Sequence, residues 1–141
     1  MNRIGVVLMT VLVVLASAPL VTAKSPVGSH VVRVYYFHGS FRCVTCHKLE
    51  TLAHEAIQAS FSKEIKNGTL VWQAINVEDK DNKHFVKDYQ LFTRSLVMAD
   101  VADGTQKRWK NLAKIWELVG NEKAYKQYVV EEVRQYLGGR S

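Results

Sequence analysis

Apolar positions along this chain change period several times, and each change marks an element. After His30, the run Val31, Val32, Val34, Tyr35, Tyr36, Phe37 is β-branched and aromatic and is closed by Gly39, which predicts a buried strand. Cys46, Leu49, Leu52, Ala53, Ala56, Ile57 and Phe61 then recur at helical spacing, while Lys48, Glu55, Gln58 and Lys63 fall mostly elsewhere. An amphipathic helix is expected there, ending near Asn67-Gly68. Thr69 to Val77 predicts a second strand, Asn82 to Tyr89 a short helical segment with Phe85 and Val86 facing inward, and Ser95 to Val101 a third strand. Asp103-Gly104 is a two-residue turn signal, so the third strand should pair antiparallel with a fourth over Thr105 to Trp109. Asn111 is placed to cap a closing helix with Leu112, Ile115, Trp116 and Val119. That helix pauses at Gly120-Asn121 and resumes with Tyr125, Tyr128, Val129, Val133, Tyr136 and Leu137. The order βαβαββα predicts an α/β domain with a mixed four-stranded sheet flanked by helices.

The first 23 residues are of another kind. Arg3 gives a positive start, Ile4 to Leu15 is an almost unbroken apolar run, and Val21-Thr22-Ala23 supplies small residues for cleavage. Residues 1–23 read as a signal peptide, 24–30 as a short linker and 31–141 as the folded domain, with Lys24 the expected first residue of the processed chain. The alternative is an uncleaved membrane anchor that also uses Ala16 to Val21, since a comfortable span takes about 20 residues. The expectation is an exported chain, periplasmic or secreted, whose soluble domain works in a redox-managed compartment.

A length of 141 residues, 48% hydrophobic and 23% charged, fits one ordinary globular domain. The net charge of +6 does not alter that picture, because acids interleave with the basic residues, as in Glu78-Asp79-Lys80-Asp81. The densest basic stretch, Lys107-Arg108-Trp109-Lys110, reads as a solvated hairpin around a buried Trp and not as a nucleic-acid surface. No nucleic-acid partner is expected, and the domain is read as a monomer.

Cys43-Val44-Thr45-Cys46 falls where the first strand gives way to the first helix. Unpaired N–H groups and the helix dipole favour negative charge there. A free thiol has a pKa of about 8.5, and thiols so placed fall to roughly 3.5–7.5, with Arg42 a further contributor for Cys43. Cys46, one turn into the helix, can reach Cys43 while shielded from solvent. Cys43 is therefore the expected attacking residue and Cys46 the resolving one; run backwards, the same exchange donates a disulfide.

Strand, Cys-Val-Thr-Cys, helix, and the later strand and hairpin together resemble the thioredoxin superfamily across nearly all of residues 30–137. Tyr35-Tyr36-Phe37-His38-Gly39, Phe41-Arg42-Cys43, Asp88-Tyr89-Gln90-Leu91 and Arg108-Trp109-Lys110-Asn111-Leu112 are similar to stretches of the small bacterial thioredoxin-like proteins labelled ArsF family. The resemblance implies the thioredoxin fold and a redox-active disulfide, Cys43 with Cys46. It implies exchange with protein or small-molecule thiols and disulfides, a membrane electron donor being a further partner, and this reading needs no cofactor and no metal. Arg42, Val44, Thr45, Arg94 and Ser95 would line the substrate groove. Two departures stand out. The superfamily's cis-proline loop has no Pro here, the matching place being Ser95, so Thr93-Arg94-Ser95 would make an altered groove wall and leave the pair more open to metal. Tyr36 stands where thioredoxin itself has a buried acid, which leaves His38 or His47 as candidates for proton transfer. The intervening Val44-Thr45 is typical of neither reductants nor strong oxidants and leaves the direction of exchange open.

Two rival chemistries use the same residues. Cys43-Val44-Thr45-Cys46-His47 matches the pattern of covalent haem attachment, with Met98, His30, His38, His54 or His84 as the distal ligand of a c-type electron carrier. Against it, the motif follows a strand-forming run. A copper or zinc module would take Cys43, Cys46 and His47 with His38 or His54. The stripe His47, Glu50, His54 is read instead as the solvated side of the helix. A purely structural disulfide across one turn would close a very short loop and constrain little. Trp72, Trp109 and Trp116 are expected in the core, and Asn67-Gly68-Thr69 is read as a helix-to-strand turn before a glycosylation acceptor.

Overall fold

The computed structural model describes residues 30–138. The expected signal peptide, the linker up to residue 29 and residues 139–141 lie outside the described residues. Strand β1 (His30–His38) is followed by helix α1 (Val44–Ser60), the short helix α2 (Ser62–Lys66) and strand β2 (Leu70–Asn76). A 3-10 turn over Lys80–Asn82 leads into α3 (His84–Asp88), then come strands β3 (Ser95–Ala102) and β4 (Thr105–Asn111), and the chain closes with α4 (Ile115–Leu118) and α5 (Glu122–Gly138).

The four strands form one mixed sheet in the order β2-β1-β3-β4. β1 pairs parallel with β2, Val34 opposite Trp72, and antiparallel with β3, Val34 opposite Met98. A central strand has both faces covered, which is why β1 shows no polar alternation. Val32, Val34 and Tyr36 face a core shared with Leu49 and Ile57 of α1 and Tyr125 and Val129 of α5. Tyr35 and Phe37 face a smaller cluster with Tyr89, Leu91 and Val97. β3 and β4 meet through Asp103-Gly104, Ala102 opposite Thr105, and both turn residues have positive φ, 52° and 73°. That is the geometry for which Asp-Gly is selected in two-residue hairpins.

Asn67-Gly68 makes the expected helix-to-strand turn: Gly68 has φ 77° and the Asn67 side-chain oxygen accepts from the Thr69 N–H at 3.0 Å. Four local expectations are corrected. The first helix does not run unbroken to Asn67, because Phe61 leaves helical geometry (φ −132°, ψ 32°) to bury its ring before α2 starts. Val86 faces outward, 40% exposed, as the five-residue α3 turns only Phe85 toward the sheet. Asn111 ends β4 and caps nothing; the capping side chain is Asn121, whose oxygen accepts from the Ala124 N–H of α5 at 3.1 Å. Trp116 is 37% exposed and lies at the surface, whereas Trp72 and Trp109 pack against the two cores.

Candidate redox site at the start of α1

The loop from β1 into α1 is held from two directions. Ser40 donates its backbone N–H to Glu78 at 3.1 Å, and its hydroxyl oxygen accepts from the Asn76 amide at 3.1 Å. Gly39 lets the Glu78 carboxylate pack closely here: a Cβ would stand 2.5 Å from its oxygen, and the flexible Glu78 side chain would have to shift. The Ser40 hydrogen bonds, with Arg94 and His38 nearby, hold the Glu78 carboxyl below its usual range. On the other side the Arg94 guanidinium donates to the Phe41 carbonyl at 2.6 Å, and the Trp116 indole N–H donates to the Arg94 carbonyl at 3.0 Å.

This braced loop delivers Cys43 as the N-cap of α1 (φ −79°, ψ 166°), and its sulfur accepts from the Cys46 N–H at 3.2 Å. Cys43 and Cys46 form a disulfide with Cα atoms 5.0 Å apart. The two sulfurs belong to different surroundings. Cys46 is 2% exposed within the α1 face of the domain, while Cys43 is half-buried between Phe41 and Val44, which are 76% and 87% exposed. Thr45 is also exposed. Behind the pair, the fully buried Tyr36 donates its hydroxyl to the Cys46 carbonyl at 2.7 Å, and burial pushes that hydroxyl up to about 12.

Of the other residues singled out from the sequence, Arg42 forms an ion pair with Glu50 on α1. Arg94 meets the cysteine loop directly, as described. Ser95 is 4% exposed and its hydroxyl donates to the Thr93 carbonyl at 2.9 Å, so its side chain is turned into the fold. His38 ends β1, where its ring stacks on Tyr36 and its Nδ1–H donates to the Gly39 carbonyl at 3.0 Å. His47 is exposed, as is His54, which stacks on Trp72 at 5.3 Å between ring centres. Among the described residues no group of three or more His, Cys, Asp or Glu is gathered to hold a metal ion. None of the described helices is long and apolar enough to cross a membrane.

Beside the loop lies a cleft of about 160 Å³ lined by Phe37, His38, Gly39, Glu78, Phe92 and Arg94 among others. Sequence reasoning missed Glu78, Phe92 and Trp116 as members of this neighbourhood. Their places follow from strand register and long-range hydrogen bonds, and no local spacing announces them.

A redox-capable Cys-x-x-C pair on an α/β fold is what this geometry amounts to. No family model matches the chain, and no curated protein matches it. One solved structure, that of a malarial protein, is similar over 57% of this chain and 80% of its own length, at 12% identity and a TM-score of 0.38, a likeness too distant to bear on fold or function.

Proposed function

We propose that this chain is an exported thioredoxin-like thiol–disulfide oxidoreductase, related to the small ArsF-family proteins its motifs resemble. The succession of strands and helices, with the sheet order β2-β1-β3-β4, supports the thioredoxin fold. The observation that carries the reading is the asymmetry of the pair: a half-buried Cys43 at the helix cap, bonded to a Cys46 that is 2% exposed.

When the pair is reduced, the N–H that now points at the Cys43 sulfur and the start of the 17-residue α1 both stabilise a Cys43 thiolate. The thiolate attacks one sulfur of a substrate disulfide, forms a mixed disulfide and expels the other sulfur as a thiolate. Cys46 then attacks the Cys43 sulfur, the substrate leaves reduced by two electrons, and the Cys43–Cys46 bond is restored. Each step is reversible, so the same site donates a disulfide to a dithiol. Proteins or small molecules bearing thiols or disulfides are the proposed partners, with a membrane electron donor in the reducing direction. Phe41 and Val44, exposed beside Cys43, suit an apolar substrate segment.

The test is intact mass of the exported protein before and after alkylation, with and without reductant, followed by exchange assays of two variants. Two thiols blocked only after reduction are expected on the wild-type chain. Cys43→Ser should lose exchange entirely, and Cys46→Ser should accumulate mixed disulfides. A Cys43→Ser variant with full activity would refute the proposal, and so would a haem-sized mass increment that survives denaturation.

A further inference from the structure

Two buried tyrosines converge on the first turns of α1 from different elements. Tyr36, on β1, donates to the Cys46 carbonyl at 2.7 Å, and Tyr125, on α5, donates to the Leu49 carbonyl at 2.6 Å. Both residues are fully buried. A carbonyl inside a helix already accepts from the N–H four residues on, so neither hydroxyl is required to complete α1. Phenylalanine would fill the same space without placing a hydroxyl in an apolar core, where an unpartnered one is costly. Burial raises both hydroxyls above their usual range, Tyr36 to about 12 against the opposing pull of Arg42 and Arg94, so they remain donors at any working pH.

These bonds end on the backbone of the cysteine that is buried and on the turn behind it. Cys43, by contrast, sits half-buried at the helix cap, in a loop braced by contacts of Ser40 and Phe41 and not by a bond from the core to its own backbone. Resting on the exchange reading above, we infer that Tyr36, seconded by Tyr125, is a positioning residue for the resolving step, fixing the Cys46 backbone so that its sulfur stays directed at Cys43 in the open site. An attacker held near its target accelerates the step in which it attacks and leaves the preceding one unchanged.

With reduced protein and glutathione disulfide the two steps separate. The Cys43 thiolate bonds to one glutathione sulfur and the other glutathione departs as a thiolate, which takes up a proton. Cys46 then gives its proton to water and attacks the Cys43 sulfur. The bond to glutathione breaks, the second glutathione leaves, and two electrons have passed from protein to glutathione disulfide. The experiment follows the Cys43–glutathione adduct by rapid quenching and intact mass in the wild type, Tyr36→Phe and Tyr125→Phe, with the alkylation rate of reduced Cys43 measured alongside. Tyr36→Phe should lengthen the adduct lifetime about fivefold, the kinetic equivalent of one net hydrogen bond, and Tyr125→Phe should do so by roughly twofold. Alkylation of Cys43 should stay within about twofold of wild type in both.

An unchanged adduct lifetime in Tyr36→Phe overturns the inference while leaving the exchange reading intact. A parallel fall in Cys43 alkylation overturns it too, since that would report a general loosening of the site. If Tyr36→Phe does not fold, an unchanged lifetime in Tyr125→Phe decides against it. A wild-type protein that forms no adduct and no disulfide overturns the exchange reading and this role together.

Discussion

The two faces of the sheet are built differently. The face under α1 and α5 is covered by two 17-residue helices, and two hydroxyls buried there, those of Tyr36 and Tyr125, donate to main-chain carbonyls of α1. The other face carries an aromatic cluster, with Phe37, Phe85 and Tyr89 at ring-centre distances of 5.2 to 6.0 Å, beneath a five-residue helix. It ends in an open cleft and in Phe92, which is 96% exposed. Cys46 belongs to the first face. The cleft beside the cysteine loop belongs to the second, since Phe37 contributes to both the aromatic cluster and the cleft wall. A fixed back and an open front suit a pair in which one sulfur must stay and the other must meet a partner.

Paired truncations test that contrast most strongly. Leu49→Ala, from the fully buried α1 face, should cost about 2–5 kcal/mol in urea unfolding. Phe85→Ala, from a half-buried ring, should cost about 1–2 kcal/mol, because only part of its surface leaves water on folding. Equal losses would mean that the faces are equally rigid. A smaller effect is expected from Trp116→Phe, which removes the donor to Arg94 and should cost about 0.5–1.5 kcal/mol. Its sharper signature is faster amide exchange over Gly39 to Cys43, with α1 unaltered.

The smallest effect concerns Glu78. Its folded pKa lies below the ordinary 4.5, so its hold on Ser40 contributes fully above that value and is lost as pH falls through the lowered one. The melting temperatures of wild type and Glu78→Gln should therefore differ above the ordinary 4.5 and converge as pH falls through the lowered value. A gap that widened on acidification would reverse the assignment.

Much of this was readable in the chain because the signals are local. Asp103-Gly104 demands positive φ, a buried central strand demands an unbroken apolar run, and Cys46 shares its helical face with Leu49 and Leu52. What escaped was non-local or ambiguous. Asn111 and Asn121 are both credible caps, and only the continuation of β4 to Asn111 decides between them. Trp116 reads as core by its apolarity, yet its indole N–H is drawn to Arg94, 22 residues away. Tyr36 reads from the sequence as a buried aromatic of the first strand, but its bond to a backbone carbonyl on another element leaves no trace in spacing.

The register of β1 also sets the direction in which the domain can be handled. His30 lies opposite Ala102 beside the hairpin, while Phe37 lies opposite Ser95 near the cysteine loop. At about 3.3 Å per residue the strand separates those poles by about 23 Å. A bead, electrode or fusion partner joined ahead of residue 30 would therefore attach at the pole opposite the disulfide, leaving Cys43 directed toward the solution.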